Sequence, residues 1–179
     1  LGQRPLSPLW EEMERMGCRL CYTEPNLLHC EGKLKSGEYV IDGSVSSQYI
    51  TGLLFALSLM NEESILEITG TVESRPYIDM TRDALHLFGT DPNHLGSGQF
   101  HSPGYLCVEG DWSNSAFFLT ADALGSDIIL EDLNETSTQG DRAIQTILPM
   151  LQVGVSTISA ADIPDLIPIL SVAAASCHG

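Results

Sequence analysis

The sequence predicts an α/β (α+β) fold that is built from repeated βαβαββ units. Apolar runs of strand length alternate with stretches of helical periodicity along the whole chain. The same order of elements also occurs twice, over residues 38–102 and again over 103–160. This period of about 65 residues exceeds those of solenoid proteins, so it indicates two copies of one folded unit.

The first copy has a clear order of elements. Tyr39–Gly43 is an apolar run that ends in glycine, and a Ser-rich turn follows over Ser44–Gln48. A helix is expected over Tyr49–Met60, and Ile65–Thr69 has the composition of a strand. A second helix is expected over Pro76–Phe88, with a glycine directly after it as its stop signal.

The second copy repeats this order. Its predicted elements are a strand (Tyr105–Gly110), a turn (Asp111–Ser115), a helix (Ala116–Leu124), a strand (Ile128–Glu131), a helix (Gln139–Leu151) and a strand (Ser156–Ala161). The segment after the second helix is unusually short, as if a hairpin were missing.

Both ends of the chain read as partial units. The predicted elements are a helix (Ser7–Met16) with Gly17 as its cap, a hairpin (Arg19–Tyr22 with Asn26–Cys30) and a C-terminal helix (Leu170–Ser176). Asp162 is expected to cap a helix start that contains Pro164, and Pro168 to distort the next turn. The chain is therefore expected to be an internal fragment of a larger fold.

The charge balance excludes several kinds of partner. The formal net charge is −16, from 24 acidic and 8 basic residues. Nucleic acid is not an expected partner, because its phosphates require clustered Lys and Arg. No apolar run approaches the roughly 20 residues of a membrane span, and no signal-peptide pattern is present, so a cytoplasmic location is expected. Any bound anion must rely on hydroxyl and backbone N–H groups, or on cations from outside the chain.

The cysteines leave two interpretations open. Cys18-x-x-Cys21 followed by His29-Cys30 could suggest zinc, but no second pair of ligands with suitable spacing is present. Reduced thiols in the cytosol are the favoured interpretation. We therefore expect no zinc at Cys18 and Cys21, and no cofactor.

The Ser-rich turn is the best candidate for a binding site. Hydroxyl groups at a helix start lie beside free N–H groups at the positive end of the helix dipole, which is an anion site without Lys or Arg. Capping alone would need only one residue, such as Ser44 or Ser46. Three serines in four positions, followed by Gln48, favour a bound ligand.

Four segments in order resemble those of one enzyme family. They are Asp42–Gln48 (D-G-S-V-S-S-Q), Ser74–Asp79, Glu109–Asp111 and Ile163–Ile169. The first is similar to the highly specific signature of EPSP synthases, which are enolpyruvyl transferases. The resemblance covers nearly the whole chain.

The resemblance implies an architecture. The fold would be the inside-out α/β barrel of the enolpyruvyl transferase type, incomplete here, with two domains that close on substrate. Residues 1–109 would belong to the shikimate-3-phosphate-binding domain, and 110–179 would begin the second domain. The complete protein is expected to be monomeric.

The resemblance also implies binding residues. Ser46 and Ser47 would hold the 3-phosphate of shikimate-3-phosphate. Gln48 would lie against the ring and near phosphoenolpyruvate. Ser74 would add a phosphate contact, and Tyr77 would contact the shikimate group, although a tyrosine at a helix start can also be merely amphipathic.

Asp165 matches the catalytic carboxylate of the family. It would help to remove the proton from the 5-hydroxyl that attacks phosphoenolpyruvate, and phosphate would then leave. A carboxylate at a helix start is also favoured by the helix dipole, but Asp162 fits that explanation better. Arg75 occupies a position that is basic in many relatives, and a solvated surface arginine is the simpler explanation for it.

Departures from the family pattern leave alternatives. The family's cationic segments and its Asn-Ala-Gly-Thr segment are absent, so the isolated chain is not expected to turn over substrate. The alternatives are the sister transferase that acts on UDP-N-acetylglucosamine and a non-catalytic βαβαββ binding module. The sister enzyme depends on a cysteine in a mobile loop, whereas Cys107 is expected to lie in a strand.

Overall fold

The structure, a computed structural model, describes residues 5–96 and 100–177 as a mixed α/β fold. Its α-helices are α1 (Leu9–Arg15), α2 (Ser47–Ser58), α3 (Arg75–Leu87), α4 (Trp112–Ala123), α5 (Ile144–Val153) and α6 (Ile167–Ser176). Its strands are β1 (Cys18–Glu24), β2 (Leu27–Gly32), β3 (Glu38–Asp42) and β4 (Ile65–Thr69). Short 3₁₀ turns precede α5 (Gly140–Ala143) and α6 (Pro164–Leu166).

The chain forms two compact units. The first comprises the residues up to Glu73 together with Thr81–Gly104. The second comprises Ser74–Met80 and the residues from Tyr105 onward. The residues at the start of α3 are therefore part of the second unit.

The first unit contains two small sheets. β1 and β2 form an antiparallel hairpin, and β3 and β4 form a parallel pair. β3 alternates buried and exposed side chains, with Tyr39 and Ile41 fully buried. Parallel strands need a crossover, and α2 supplies it by burying Ile50 and Leu54. The sequence prediction of βαβ here, and of the N-terminal helix and hairpin, is confirmed.

The second unit is built around a helical core. Trp112 is fully buried at the start of α4, and its indole N–H donates to the Asn134 carbonyl at 3.1 Å. The buried side chains of this core are Trp112, Ala116, Ile144, Ile147, Leu148, Ile163, Leu166, Ile169, Leu170 and Ala173. The helices predicted for this part of the chain are confirmed, although α5 begins after a 3₁₀ turn.

The strands predicted for the second copy are not formed. Residues 105–177 are all described, and none of them lies in a strand. Cys107, expected in a strand, is exposed in an irregular segment. One hydrogen bond of the expected ladder is present, from the Gly110 N–H to the Asp132 carbonyl at 3.3 Å. A strand requires a partner for its backbone groups, whereas a helix satisfies its own.

The other corrections concern the last hairpin and two helix starts. The first copy shows an isolated bridge between Ser64 and Leu95 instead of a final strand pair, and residues 97–99 of its predicted span lie outside the described residues. Asp162 does not cap its own helix, and Pro168 lies in the first turn of α6 rather than distorting it. The described residues form no closed barrel.

No helix in the described ranges combines the length and the apolar character that a bilayer crossing requires. The five cysteines are free thiols.

Candidate functional site

The turn that joins β3 to α2 is held by its own side chains. The Asp42 carboxylate accepts hydrogen bonds from the Ser44 N–H at 2.9 Å and from the Ser44 hydroxyl at 2.7 Å. These bonds lower the pKa of Asp42. Gly43 donates its N–H to the Thr69 carbonyl at 2.9 Å and so extends the β3–β4 ladder by one bond. The signature segment is thereby fixed at the end of the sheet.

Ser46, Ser47 and Gln48 form the start of α2. Ser46 is the N-cap, in extended backbone, and its hydroxyl oxygen accepts from the Gln48 N–H at 3.3 Å. Ser47 is buried, whereas Gln48 is exposed. The first turn of α2 itself carries no acidic residue that would offset the positive end of its dipole, and the Asp42 carboxylate in the preceding turn accepts hydrogen bonds from Ser44. The turn is suited to an anion, and Ser46 also acts as a cap.

The start of α3 is tied to the segment before α6. Ser74 lies in the left-handed region, with φ at 53°, and its N–H donates to the Ala161 carbonyl at 3.0 Å. The Arg75 N–H donates to the Asp162 carboxylate at 3.3 Å. Asp162 therefore binds the first residue of a different helix from the one it was expected to cap.

Tyr77 and Asp165 are brought into direct contact. The Tyr77 hydroxyl donates a hydrogen bond to the Asp165 carboxylate. Burial raises the pKa of Tyr77 strongly, and the bond to Asp165 raises it further. The negative charges of Asp141 and Asp111 act in the same direction. Tyr77 is consequently a neutral hydrogen-bond donor, and Asp165 is an acceptor with a fixed orientation.

Asp141 is a candidate that the sequence analysis did not single out. Its side chain is buried, with a relative exposure of 4%, and it accepts a hydrogen bond from the Ser113 hydroxyl. Burial raises the pKa of Asp141, the Ser113 bond opposes this, and the charges of Asp165 and Asp111 add to the rise. The charge of Asp141 also acts on Tyr77, in the same direction as that of Asp165.

A close backbone approach holds these segments together. A Cβ added to Gly140 would lie 2.5 Å from the Asp162 carbonyl and 2.8 Å from Cγ of Pro76. Any larger residue at this position would push the start of α3 away from the segment before α6. In the sequence, this contact is marked by the dipeptide Gly140-Asp141. Such dipeptides are too common for one of them to identify a site.

Glu109 organises the entry to α4. Its carboxylate accepts hydrogen bonds from the Asn134 amide at 2.7 Å, the Gln139 amide at 2.8 Å and the Ser137 hydroxyl. Burial acts to raise the pKa of Glu109, but the three hydrogen bonds outweigh it and lower the pKa. The side-chain amide oxygen Oε1 of Gln139 then accepts from the backbone N–H of Trp112 at 2.9 Å. The sequence identified Glu109–Asp111 as a segment but not these partners.

Arg75 lies on the surface, as expected for a solvated arginine. Its side chain is 69% exposed and lies 3.7 Å from the Asp79 carboxylate one helical turn away. Exposed pairs of this kind contribute little because solvent screens them. Its place in the substrate site has no support from these contacts.

The six predicted site residues fall into two groups. Ser46, Ser47 and Gln48 belong to the first unit, at the start of α2. Ser74, Tyr77 and Asp165 belong to the second, where a hydrogen bond joins Tyr77 to Asp165.

Comparison with known proteins gives a consistent result. The profile of the family described as EPSP synthase (3-phosphoshikimate 1-carboxyvinyltransferase) matches residues 1–163. A 3-phosphoshikimate 1-carboxyvinyltransferase of Clostridium perfringens (strain ATCC 13124) is 38% identical over 204 aligned residues, which cover 100% of this chain and 48% of the relative. Proteins of the same name from Clostridium botulinum (strain Eklund 17B) and Clostridioides difficile (strain 630) are 37% and 36% identical, with 47% and 46% of the relatives covered.

The alignments also show a difference in length. The chain spans about half the length of the curated relatives it matches. The 204 aligned positions exceed the 179 residues of the chain by 25, so the matched part of the C. perfringens relative is longer by about that number.

Proposed function

Because the chain belongs to the EPSP synthase family, we propose that it is part of a transferase that moves the enolpyruvyl group of phosphoenolpyruvate to the 5-hydroxyl of shikimate-3-phosphate. Phosphate is the second product. The reaction lies in the shikimate pathway, which leads through chorismate to the aromatic amino acids. The relatives that match the whole chain are named for this reaction and not for transfer to UDP-N-acetylglucosamine.

The observation that carries the proposal is the conformation of the signature segment. Asp42–Gln48 folds as a turn that opens a helix, and the first turn of that helix is free of acidic residues. A phosphate there would receive hydrogen bonds from hydroxyl and N–H groups at the positive end of the dipole. A chain with a net charge of −16 needs such a site, because it has few cations to offer.

Hydroxyl and amide side chains would bind shikimate-3-phosphate. Ser46 and Ser47 would donate hydroxyl hydrogen bonds to its phosphate, and Gln48 would contact the ring and phosphoenolpyruvate. Ser74 would add a phosphate contact. The exposure of Gln48 supports this assignment, since an exposed amide at a helix start is available to a ligand.

Asp165 would accept the proton of the 5-hydroxyl as its oxygen bonds to C2 of phosphoenolpyruvate. C3 gains a proton in that step, and the tetrahedral intermediate then loses a C3 proton and phosphate. A positioned carboxylate accelerates proton transfer by about 10²–10⁴-fold. The hydrogen bond from Tyr77 supports this role because it orients the carboxylate through one of its two oxygens.

The finer architecture is part of the same proposal. Residues 1–109 would belong to the shikimate-3-phosphate-binding domain, and 110–179 would begin the second domain of an inside-out α/β barrel. The cations for phosphoenolpyruvate would come from segments beyond those in this chain. The complete enzyme would be a cytoplasmic monomer that needs no cofactor.

An assay of the complete protein tests the proposal. Phosphate release should require both phosphoenolpyruvate and shikimate-3-phosphate, and UDP-N-acetylglucosamine should not replace the latter. The complete gene should also restore growth without aromatic amino acids to a bacterium that lacks this activity. Binding of shikimate-3-phosphate with no phosphate release would favour a non-catalytic binding module.

A further inference from the structure

Two cysteines share one face of the β1–β2 hairpin. In its antiparallel register Cys18 lies opposite Gly32, and Leu20 lies opposite Cys30. Side chains two residues apart on a strand project to the same face, so Cys18 and Cys30 are diagonal neighbours across the strand pair. Gly32 has no side chain, and a Cβ there would lie 2.5 Å from the Gly17 carbonyl oxygen, so the backbones lie close together at this end of the hairpin.

The two thiols are diagonal neighbours that differ in exposure. Burial raises the pKa of the Cys18 thiol, and the neighbouring Cys30 thiol raises it further. Cys30 is exposed, whereas Cys18 is partly buried. A dissolved oxidant therefore reaches Cys30 first, and Cys18 lies close enough to react second.

The surroundings of the hairpin allow the thiols to move closer. Diagonal neighbours stand farther apart than a relaxed disulfide permits, so the two strands must draw together. Within the part of the chain that the structure describes, β1 and β2 pair only with each other, and every residue of β2 is exposed. β2 can therefore shift toward β1, which α1 holds through the stacked rings of Trp10 and Tyr22.

We propose that Cys18 and Cys30 are a redox modification site that closes to a disulfide across the hairpin when a hydroperoxide is present. The Cys30 thiolate attacks one oxygen of hydrogen peroxide, the O–O bond breaks, and a sulfenic acid and one water form. The Cys18 sulfur then attacks the Cys30 sulfur, the S–O bond breaks, and a second water leaves. Two thiols are oxidised and one peroxide is reduced.

Cys21 provides a matched control on the same strand. It is exposed like Cys30, but it lies opposite His29 on the other face of the hairpin. A reaction that depended on exposure alone would oxidise Cys21 and Cys30 equally. The geometry instead selects the pair of Cys18 with Cys30.

The test uses the chain as it is, treated with hydrogen peroxide and digested with trypsin without reductant. Cleavage at Arg15, Arg19 and Lys33 gives peptides 16–19 and 20–33, which the proposed bond would link. The free thiols should fall from five to three, with a mass loss of about 2 Da that a thiol reductant reverses.

Two variants separate the possible pairings. Cys21→Ser should keep the linked peptides at the parent level, because Cys21 is on the opposite face. Cys18→Ser should lose the link, and Cys30 should then be trapped by dimedone as its sulfenic acid. Circular dichroism of each variant checks that the hairpin is intact.

Three results would overturn the proposal: a bond within peptide 20–33, disulfides only between chains, or sulfenic acids on both Cys18 and Cys30 with no link. None of the residues proposed to bind substrate lies in this hairpin. The outcome is therefore independent of the proposed enolpyruvyl transfer.

Discussion

The turns that open α2 and α4 occupy equivalent places in the two copies of the repeat. In the first copy the Gly43 N–H donates to the Thr69 carbonyl, and in the second the Gly110 N–H donates to the Asp132 carbonyl. The α2 turn then presents serine hydroxyls with no acidic residue in its first helical turn. The α4 turn is capped by the carboxylate of Asp111.

The side-chain chemistry of the two turns therefore differs, although in each a glycine N–H donates to the carbonyl of a residue distant in the chain. Asp141 adds a second carboxylate beside the start of α4, where it accepts from Ser113. The two carboxylates at the start of α4 would repel a phosphate, whereas the positive end of the α2 dipole, with no acidic residue in its first turn, would attract one.

The two copies also differ in how their backbones are held. The first has a parallel β3–β4 ladder of five paired positions. The second has the Gly110–Asp132 hydrogen bond and the three hydrogen bonds to Glu109. A polar cluster of side chains takes the place of strand pairing at the same point of the repeat.

The largest expected effect concerns the anion site of the first copy. Replacing Ser46 and Ser47 together by Ala should weaken shikimate-3-phosphate binding to the complete protein by about 10²–10⁴-fold, because each hydrogen bond to a charged group contributes roughly 1.5–3 kcal/mol. Calorimetric titration measures the change. Ser44→Ala is the control, since the Ser44 hydroxyl already donates to Asp42. Unchanged affinity in the double variant would reduce both serines to helix-start residues.

The corresponding change in the second unit should affect turnover instead. Asp165→Ala should lower kcat of the complete protein by about 10²–10³-fold, while its affinity for shikimate-3-phosphate changes less than about tenfold. Steady-state kinetics and calorimetry separate the two effects. Tyr77→Phe keeps the carboxylate and removes only its donor, so its loss of kcat should be smaller. A loss that appeared only in KM would assign Asp165 to binding.

The cores of the two units can be compared by stability. Trp112→Ala should lower the free energy of unfolding of the second unit by about 3–5 kcal/mol, because it removes a fully buried aromatic side chain. Phe117 lies on the same helix but is 51% exposed, so Phe117→Ala should cost less than about 1 kcal/mol. Urea unfolding followed by circular dichroism measures both. Equal losses would show that the indole has no special place in this core.

The polar cluster should be sensitive to pH. Glu109→Gln should lower the free energy of unfolding by about 1–2 kcal/mol at pH 7, because the charged acceptor of three hydrogen bonds is lost. The folded-state pKa of Glu109 is below its ordinary value. Its contribution is therefore present above the unfolded pKa and is lost as pH falls through the folded pKa. The free energies of unfolding of the parent and Glu109→Gln, measured with urea, should therefore differ at pH 7 and become equal in acid. A difference that stayed the same at both pH values would contradict this.

Asp141 should make stability depend on pH in the opposite direction to Glu109, and by a smaller amount. Its folded-state pKa is raised, so the folded protein binds its proton more readily than the unfolded protein does. Stability associated with Asp141 therefore falls as pH rises from the unfolded pKa through the folded pKa. Asp141→Asn should remove this dependence and change the free energy of unfolding at pH 7 by less than about 1 kcal/mol. If the free energy of unfolding changed with pH in the same way in the parent and in the variant, the raised pKa of Asp141 would be refuted.

The sequence by itself determined the order of the helices, the β1–β2 hairpin and the parallel pair in the first copy. Helical periodicity and the glycine stop signals are local, and a helix satisfies its own backbone hydrogen bonds. Ser46 at the start of α2 could also be identified from residue type and position alone. These features depend on residues that are close in sequence.

Only the tertiary structure decided the rest. Whether Tyr105–Gly110 becomes a strand depends on a partner strand, and its apolar composition cannot supply one. Asp162 serves Arg75 of another helix, Asp165 receives its hydrogen bond from Tyr77, and Asp141 is buried against Ser113. Each of these contacts joins residues that are at least 28 positions apart in the chain. Packing selects such partners, and no local pattern in the sequence encodes them.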